Sequence, residues 1–202
     1  MAYFPFFVDI TGKKGIIVGG GRIALHKIGR LLPFSPELTV IAPQIMDEIR
    51  AIEGIVRVQR EFQECDLSDA FFVIAATDDE ALNARVSDLC KSRSIPVNVV
   101  DDKEKCSFIF PSIVKKGALT AAVSTEGASP QIAAMLRRQM EAELPEHIEE
   151  ILDYLAQIRP IAREKISDDR ERADFLKSIA RRCFAEDGIP EGDVFEQKDR
   201  IR

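Results

Sequence analysis

The chain of 202 residues has no tryptophan, two tyrosines and two histidines. His26 and His147 lie far apart in sequence and none of the four cysteines form a Cys-x-x-Cys pair. Spacing therefore offers no zinc site of the usual His/Cys kind, and no metal ligand set is expected. Cys65, Cys90, Cys106 and Cys183 are too sparse for a disulfide scaffold, and reduced thiols in the cytoplasm are the simplest reading. A basic excess is also missing. Lys and Arg number 28 against 34 Asp and Glu, and the net charge of −6 argues against a nucleic-acid partner. The longest apolar run, 70–76, falls far short of the roughly 20 residues that span a bilayer. Residues 1–9 carry no basic start and are interrupted by Asp9, so neither a signal peptide nor a membrane anchor is expected. What remains is a globular composition, 46% apolar and 31% charged, at the length of one to two domains, which excludes wholesale disorder.

Apolar runs alternate with amphipathic stretches through the first half. Strands are expected at 16–18, 38–42, 55–59, 71–76 and 96–100. Helical spacing links Ile23, Leu25, Ile28, Leu31 and Leu32, then Ile45, Ile49 and Ile52, then Leu82, Val86 and Leu89. Strands separated by helical patterns predict an α/β fold, a doubly wound parallel sheet. The run 71–76 is apolar on both faces, as central parallel strands are. After Asp101 the rhythm changes. Two strands, 112–115 and 118–124, flank Lys116-Gly117 as a hairpin. Ser129-Pro130 then opens a helix bearing Ile132, Met135, Leu136, Met140 and Leu144. Residues 146–185 read as helical and the tail beyond as loose. The expected parts are an α/β domain over 1–112, a small strand-and-helix element over 113–145 and a helical part over 146–202.

Gly19-x-Gly21-x-x-Ala24 stands between the first strand and the first helix, with Gly20 as the first x. It fits the dinucleotide fingerprint of a Rossmann-type domain. Glycines there permit a tight turn and let backbone N–H groups meet a pyrophosphate at a helix N-terminus. The alternative is a glycine turn that binds nothing. The acid expected after the second strand is replaced by Ala42-Pro43-Gln44, so the acidic-residue rule does not separate NAD from NADP. Thr77 and Asp78 follow the fourth strand, where side chains either face a ligand crevice or cap a helix; Asp79 favours the cap. Asp101 closes the fifth strand and is either a proton acceptor or a turn carboxylate. The loop 124–130 either binds an anion or caps a helix. The mixed charges over 159–182 read as a solvated face, with a local cationic surface as the sharper alternative.

Several pieces form a set in order and spacing: Phe4-Pro5-Phe6; Ile17-Val18-Gly19-Gly20-Gly21 with Ala24 and Lys27; Ala75-Ala76-Thr77-Asp78-Asp79 with Asn83; Asn98-Val99-Val100-Asp101; Ser107-Phe108-Ile109-Phe110-Pro111-Ser112; and Ala122-Val123-Ser124 with Gly127 and Ser129-Pro130. Over about residues 4–145 the chain resembles the precorrin-2 dehydrogenase family, the dehydrogenase and ferrochelatase module of siroheme synthases. The resemblance implies NAD as cofactor, oxidation of precorrin-2 to sirohydrochlorin and, in some members, insertion of Fe²⁺. It also implies a cytoplasmic homodimer paired through the element after the Rossmann-type domain. The family's catalytic carboxylate falls on Asp101. Its NAD contacts fall on Gly19, Gly20, Gly21, Arg22 and Ile23, on Pro43 and Gln44, and on the Thr77 region with Asp78. The substrate would lie near Ser107, Ser124 and Thr125. Two departures stand out: His26 replaces the arginine usual before the family lysine, and Glu126 replaces a glycine. Lys27, Lys115, Lys116, Arg137 and Arg138 are the cations considered for the substrate's carboxylates. A non-catalytic NAD-sensing regulatory domain is the rival reading.

Overall fold

The computed structural model describes residues 3–192 and 194–195. Five parallel strands form one sheet in the order β3-β2-β1-β4-β5: β1 is Lys14–Val18, β2 Glu37–Ile41, β3 Val56–Val58, β4 Phe72–Ala75 and β5 Val97–Val99. Period-two alternation splits their side chains between two apolar layers. Ile17, Leu38, Val40, Phe72 and Ile74 enter the layer shared with Ala24, Ile28 and Leu31 of helix α1 (Arg22–Leu31). Ile16, Val18, Ile41, Val73 and Ala75 enter the opposite layer with Val86 and Cys90 of α3 (Glu80–Ser92). Both faces are covered, which is why β4 reads as an unbroken apolar run. The doubly wound α/β fold expected from the sequence is the fold observed.

The helix expected around Ile45, Ile49 and Ile52 shrinks to the four residues of α2, Asp47–Arg50. Ile45 and Ile49 are still buried, so the apolar spacing was real. Arginine side chains take carbonyls that a longer helix would have used. Arg50 Nε donates to Ile45 O at 2.9 Å, Arg57 Nε donates to Ile49 O at 3.2 Å, and the Arg57 guanidinium also reaches Ile52 O.

At the sheet edge, Val97 and Val99 turn their backbone groups away from β4. Two side chains complete them in place of a sixth strand. Ser107 Oγ accepts from Val97 N at 2.8 Å, while Ser107 N donates to Val97 O at 2.8 Å. Cys106 Sγ accepts from Val99 N at 3.1 Å and lies 3.2 Å from Val99 O.

The chain parts into two compact units: one runs through Pro111 and takes in Glu126–Ser129, the other holds Ser112–Thr125 and the chain from Pro130 onward. In the second unit, β6 (Ser112–Lys116) and β7 (Leu119–Val123) pair antiparallel around Gly117, whose φ of +48° suits glycine. Helix α4 (Pro130–Ala142) packs on this ribbon. The stretch expected to be helical over 146–185 consists of two helices, α5 (Ile148–Lys165) and α6 (Asp169–Glu186). Asp168 breaks it by capping α6, accepting from Glu171 N at 2.7 Å, while Arg172 Nη1 donates to Ile166 O at 2.9 Å. Ile151, Ile158, Phe175, Ile179 and Cys183 form the core between them. Asp187 then fastens the start of α5: its carboxylate accepts from Glu146 N and His147 N, each at 3.1 Å. These two bonds hold its carboxyl below the usual range.

Candidate dinucleotide site

Topology fixes where a ligand can bind. β1 pairs with β2 on one side and β4 on the other, so the chain direction of the crossovers switches there. A crevice opens outside the strands' carboxyl ends at such a point. A cleft of about 1390 Å³ occupies this position. It exceeds the roughly 300–1,000 Å³ of a typical small-molecule pocket, leaving room for a large cofactor and part of a second ligand.

One wall is the glycine turn, Gly19 to Gly21. Gly19 has φ +123°, and a Cβ there would run into the Ala76 carbonyl. A Cβ on Gly20 would run into the Gln44 carbonyl, because Met46 N donates to Gly20 O at 3.0 Å and clamps the two loops together. At Gly21 the space is open. Gly21 is the N-cap of α1, yet no side chain caps that helix and no acid occupies its first turn. Its first amides and Arg22 face the cleft with positive partial and full charge, as a pyrophosphate requires. The residues present therefore fit a dinucleotide. Ile23, Pro43 and Gln44 also line the cleft.

Thr77 and Asp78 form the next stretch of the wall. Asp79 is indeed the cap of α3, accepting from Ala81 N at 2.9 Å and Leu82 N at 3.0 Å. Thr77 is held by buried Asn83: its Oγ1 donates to Asn83 Oδ1 at 2.8 Å, and Asn83 Nδ2 donates to Thr77 O at 2.9 Å. The Thr77 backbone is thus pre-positioned where it borders the cleft.

Asp101 lies across the cleft, exposed, with φ +59°. A non-glycine residue in this left-handed region costs about 1–2 kcal/mol. Its neighbour Asp102 is paired with Lys105, and this bond holds the Asp102 carboxyl below the usual range. Asp102 is thereby engaged, while Asp101 faces the cleft.

The remaining sequence candidates fall elsewhere. Ser107 has its hydroxyl on the Val97 backbone and is not part of the cleft wall. Ser124, exposed, and Thr125, half-buried, belong to the second unit. Glu126 has φ +54°; its carboxylate accepts from Tyr3 N at 3.4 Å and its carbonyl takes Lys103 Nζ at 2.6 Å. Lys27 is half-buried under Phe110, 4.1 Å from the ring centroid, and donates to Asn98 Oδ1 at 3.3 Å. Burial pushes its ammonium below the usual range, opposed by Cys106 and Asp101. Arg85 and Lys105 line the cleft but were not singled out in the sequence, nor was Glu61, the acid beyond β3 on the Pro43 side. Their signal was weak: each sits in a polar stretch with no motif. Among the described residues no group of three or more His, Cys, Asp or Glu is placed to hold a metal ion. None of the described helices is long and apolar enough to cross a membrane.

Fold and cleft together define a Rossmann-type dinucleotide-binding protein. Comparison with known proteins takes this further. Residues 6–112, just over half the chain, match a family model described as "Putative NAD(P)-binding", and 116–143 match one described as "Sirohaem biosynthesis protein central". Siroheme synthase from Mannheimia succiniciproducens is 38% identical over 188 residues, covering 92% of this chain and 40% of that protein. The Pseudomonas fluorescens siroheme synthase is 36% identical over 201 residues, covering 98% of this chain and 43% of that protein. This chain thus spans about two fifths of the length of these curated relatives. A solved structure of SirC, a precorrin-2 dehydrogenase, superposes with a TM-score of 0.71 at 25% identity, covering 88% of this chain and 89% of the other. The chain belongs to the NAD(P)-binding family of that first model. The cofactor of the cleft is accordingly a nicotinamide adenine dinucleotide.

Proposed function

We propose that this chain oxidises precorrin-2 to sirohydrochlorin with NAD in the cytoplasm. The observation that carries this reading is the cleft itself, with an uncapped glycine turn on one wall and Asp101 on the other. Bound NAD supplies the hydride acceptor. The chain's own residues do the rest. The amides of Gly19 to Ile23 would hold the pyrophosphate, with Pro43 and Gln44 and then Thr77 and Asp78 lining the rest of the same cleft. With NAD taking one hydrogen of the tetrapyrrole as hydride, Asp101 would accept the other as a proton, so two electrons and two protons leave the substrate in all. Arg22 and Arg85 bring positive charge to a wall that must admit a polycarboxylate, while Lys105 is already paired with Asp102. Holding both large ligands at reacting distance is the main contribution of the protein.

Anaerobic incubation with precorrin-2 and NAD, followed by absorbance, tests this directly. Conversion is expected in the wild type and a loss of about a thousandfold or more in Asp101→Ala, with NAD affinity kept. Turnover at the wild-type rate in that variant removes the role of Asp101. NAD binding with no conversion by the wild type favours the regulatory reading. Adding Fe²⁺ to the product decides iron insertion, in which the metal is a substrate.

The protein acts as a homodimer through α4. This helix buries only Ala133, while Ile132 and Met135 are 49% exposed and Leu136 and Met140 are 41% exposed at helical spacing. Such a stripe is the kind of surface a second copy covers.

A further inference from the structure

The structure assigns a positioning role to Lys27: through Asn98 and Cys106 its ammonium clamps the strained turn that presents Asp101. This rests on the proposed role of Asp101 but not on the identity of the substrate. Lys27 sits on α1, the helix whose first turn faces the dinucleotide, yet it does not line the cleft. Its ammonium is covered by the Phe110 ring at 4.1 Å and donates to Asn98 Oδ1 at 3.3 Å. A cation so covered is poorly placed to meet a substrate carboxylate, which sets aside the sequence-based idea of an anion contact.

The hydrogen bonds run on from there. With Oδ1 committed to Lys27, the buried Asn98 amide group is fixed in orientation. Its Nδ2 donates to Phe108 O at 3.1 Å and lies 3.5 Å from Cys106 Sγ. That sulfur, buried as well, accepts from Val99 N at 3.1 Å and stands 3.1 Å from Asp102 O. Val99 and Asp102 bracket Val100 and Asp101. The network therefore grips the chain on both sides of the residue at φ +59°. A side chain held in a sparsely populated backbone region persists only where its surroundings over-determine it. The groups facing the ammonium electrostatically are Asp101 and Cys106 from the β5 side and Arg30 from its own helix. The attraction to Asp101 adds to the clamp and couples the cofactor helix to the end of β5.

The test uses Lys27→Met, which keeps the stem and removes the charge, and Lys27→Arg, which keeps the charge. Peptide-resolved alkylation reports whether Cys106 has come loose, with exposed Cys65 as the internal standard. Labelling of Cys106 is expected to rise about fivefold or more in Lys27→Met and to fall back in Lys27→Arg. In the precorrin-2 assay kcat drops about tenfold or more in Lys27→Met, NAD affinity stays within about twofold, and Lys27→Arg recovers most of the rate. Thermal melting confirms that both variants fold. Unchanged Cys106 labelling overturns the proposal, as does wild-type kcat in Lys27→Met. A loss confined to NAD affinity also overturns it, since Lys27 would then belong to the cofactor site. If the wild type does not oxidise precorrin-2, the proposed function fails, and the labelling alone decides whether Lys27 holds the turn.

Discussion

The two units bury their apolar residues in different ways. In the first, Ile17, Val40, Val73 and Ile74 are fully buried, and each strand shares its side chains between two covered faces. In the second, α5 and α6 close a core around Cys183 and Ala162, but α4 leaves four large apolar side chains in solvent. A sheet covered on both faces completes its own burial. A helix on a two-stranded ribbon does not, because such a ribbon offers little apolar area of its own. The sheet of the first unit thus closes its own core, and α4 in the second leaves an apolar face half-exposed.

This contrast can be broken at defined points. The largest effect is expected in the first unit. Gly20→Ala pushes a methyl into the Gln44 carbonyl and parts the two loops that frame the pyrophosphate, so NAD affinity should fall about a hundredfold, as read by calorimetry. Binding within a few-fold of wild type would mean that the clamp yields. In the second unit, Leu136→Asp places charge in the exposed α4 stripe. A wild-type dimer by light scattering is expected to become monomeric at micromolar concentration, still folded and still binding NAD. A wild type that is already monomeric would remove α4 as an association surface. The smallest effect lies back in the first unit, at Asp66. Its carboxyl is held below the usual range, chiefly by the Arg60 guanidinium, with Arg60 Nη1 at 2.8 Å, and it accepts from Gln63 N at 2.8 Å. A depressed acid stabilises the fold above its unfolded pKa and stops doing so as pH falls through its folded one. Asp66→Asn should therefore cost about 1–2 kcal/mol near pH 7 by denaturant titration, with the gap to wild type closing progressively below about pH 4.

Much of the first unit could be read from the sequence because its signals are local. The strand, the glycine turn and the helix lie within residues 14–31, and fully buried strands are apolar without a gap. The short α2 and the break between α5 and α6 both lie in stretches whose apolar spacing is helical. Side-chain hydrogen bonding sets these ends, by Arg50 and Arg57 for α2 and by Asp168 before α6, and periodicity does not register it. At the site, Gly19 and Gly20 were legible because a side chain at either would strike a neighbouring carbonyl, and Gly21 through its place in the same motif. Lys27, Asn98 and Cys106 were not legible as a set. They come together only after α1 and β5 pack on the same sheet, and nothing in their sequence separation foretells it. Glu61 and Arg85 reach the cleft from a loop and a helix that carry no recognisable pattern.

The completion of Val97 and Val99 by Ser107 and Cys106 has a consequence for assembly. An edge strand with free amides and carbonyls invites another chain to zip onto it. Here a hydroxyl and a thiol, thrown back from a few residues downstream, already saturate that border. Crowded copies of this protein find no open seam at β5 along which sheets could grow from molecule to molecule. Alanine at both positions would free the Val97 and Val99 amides, while the Ser107 backbone would still hold Val97 O and keep the border partly closed.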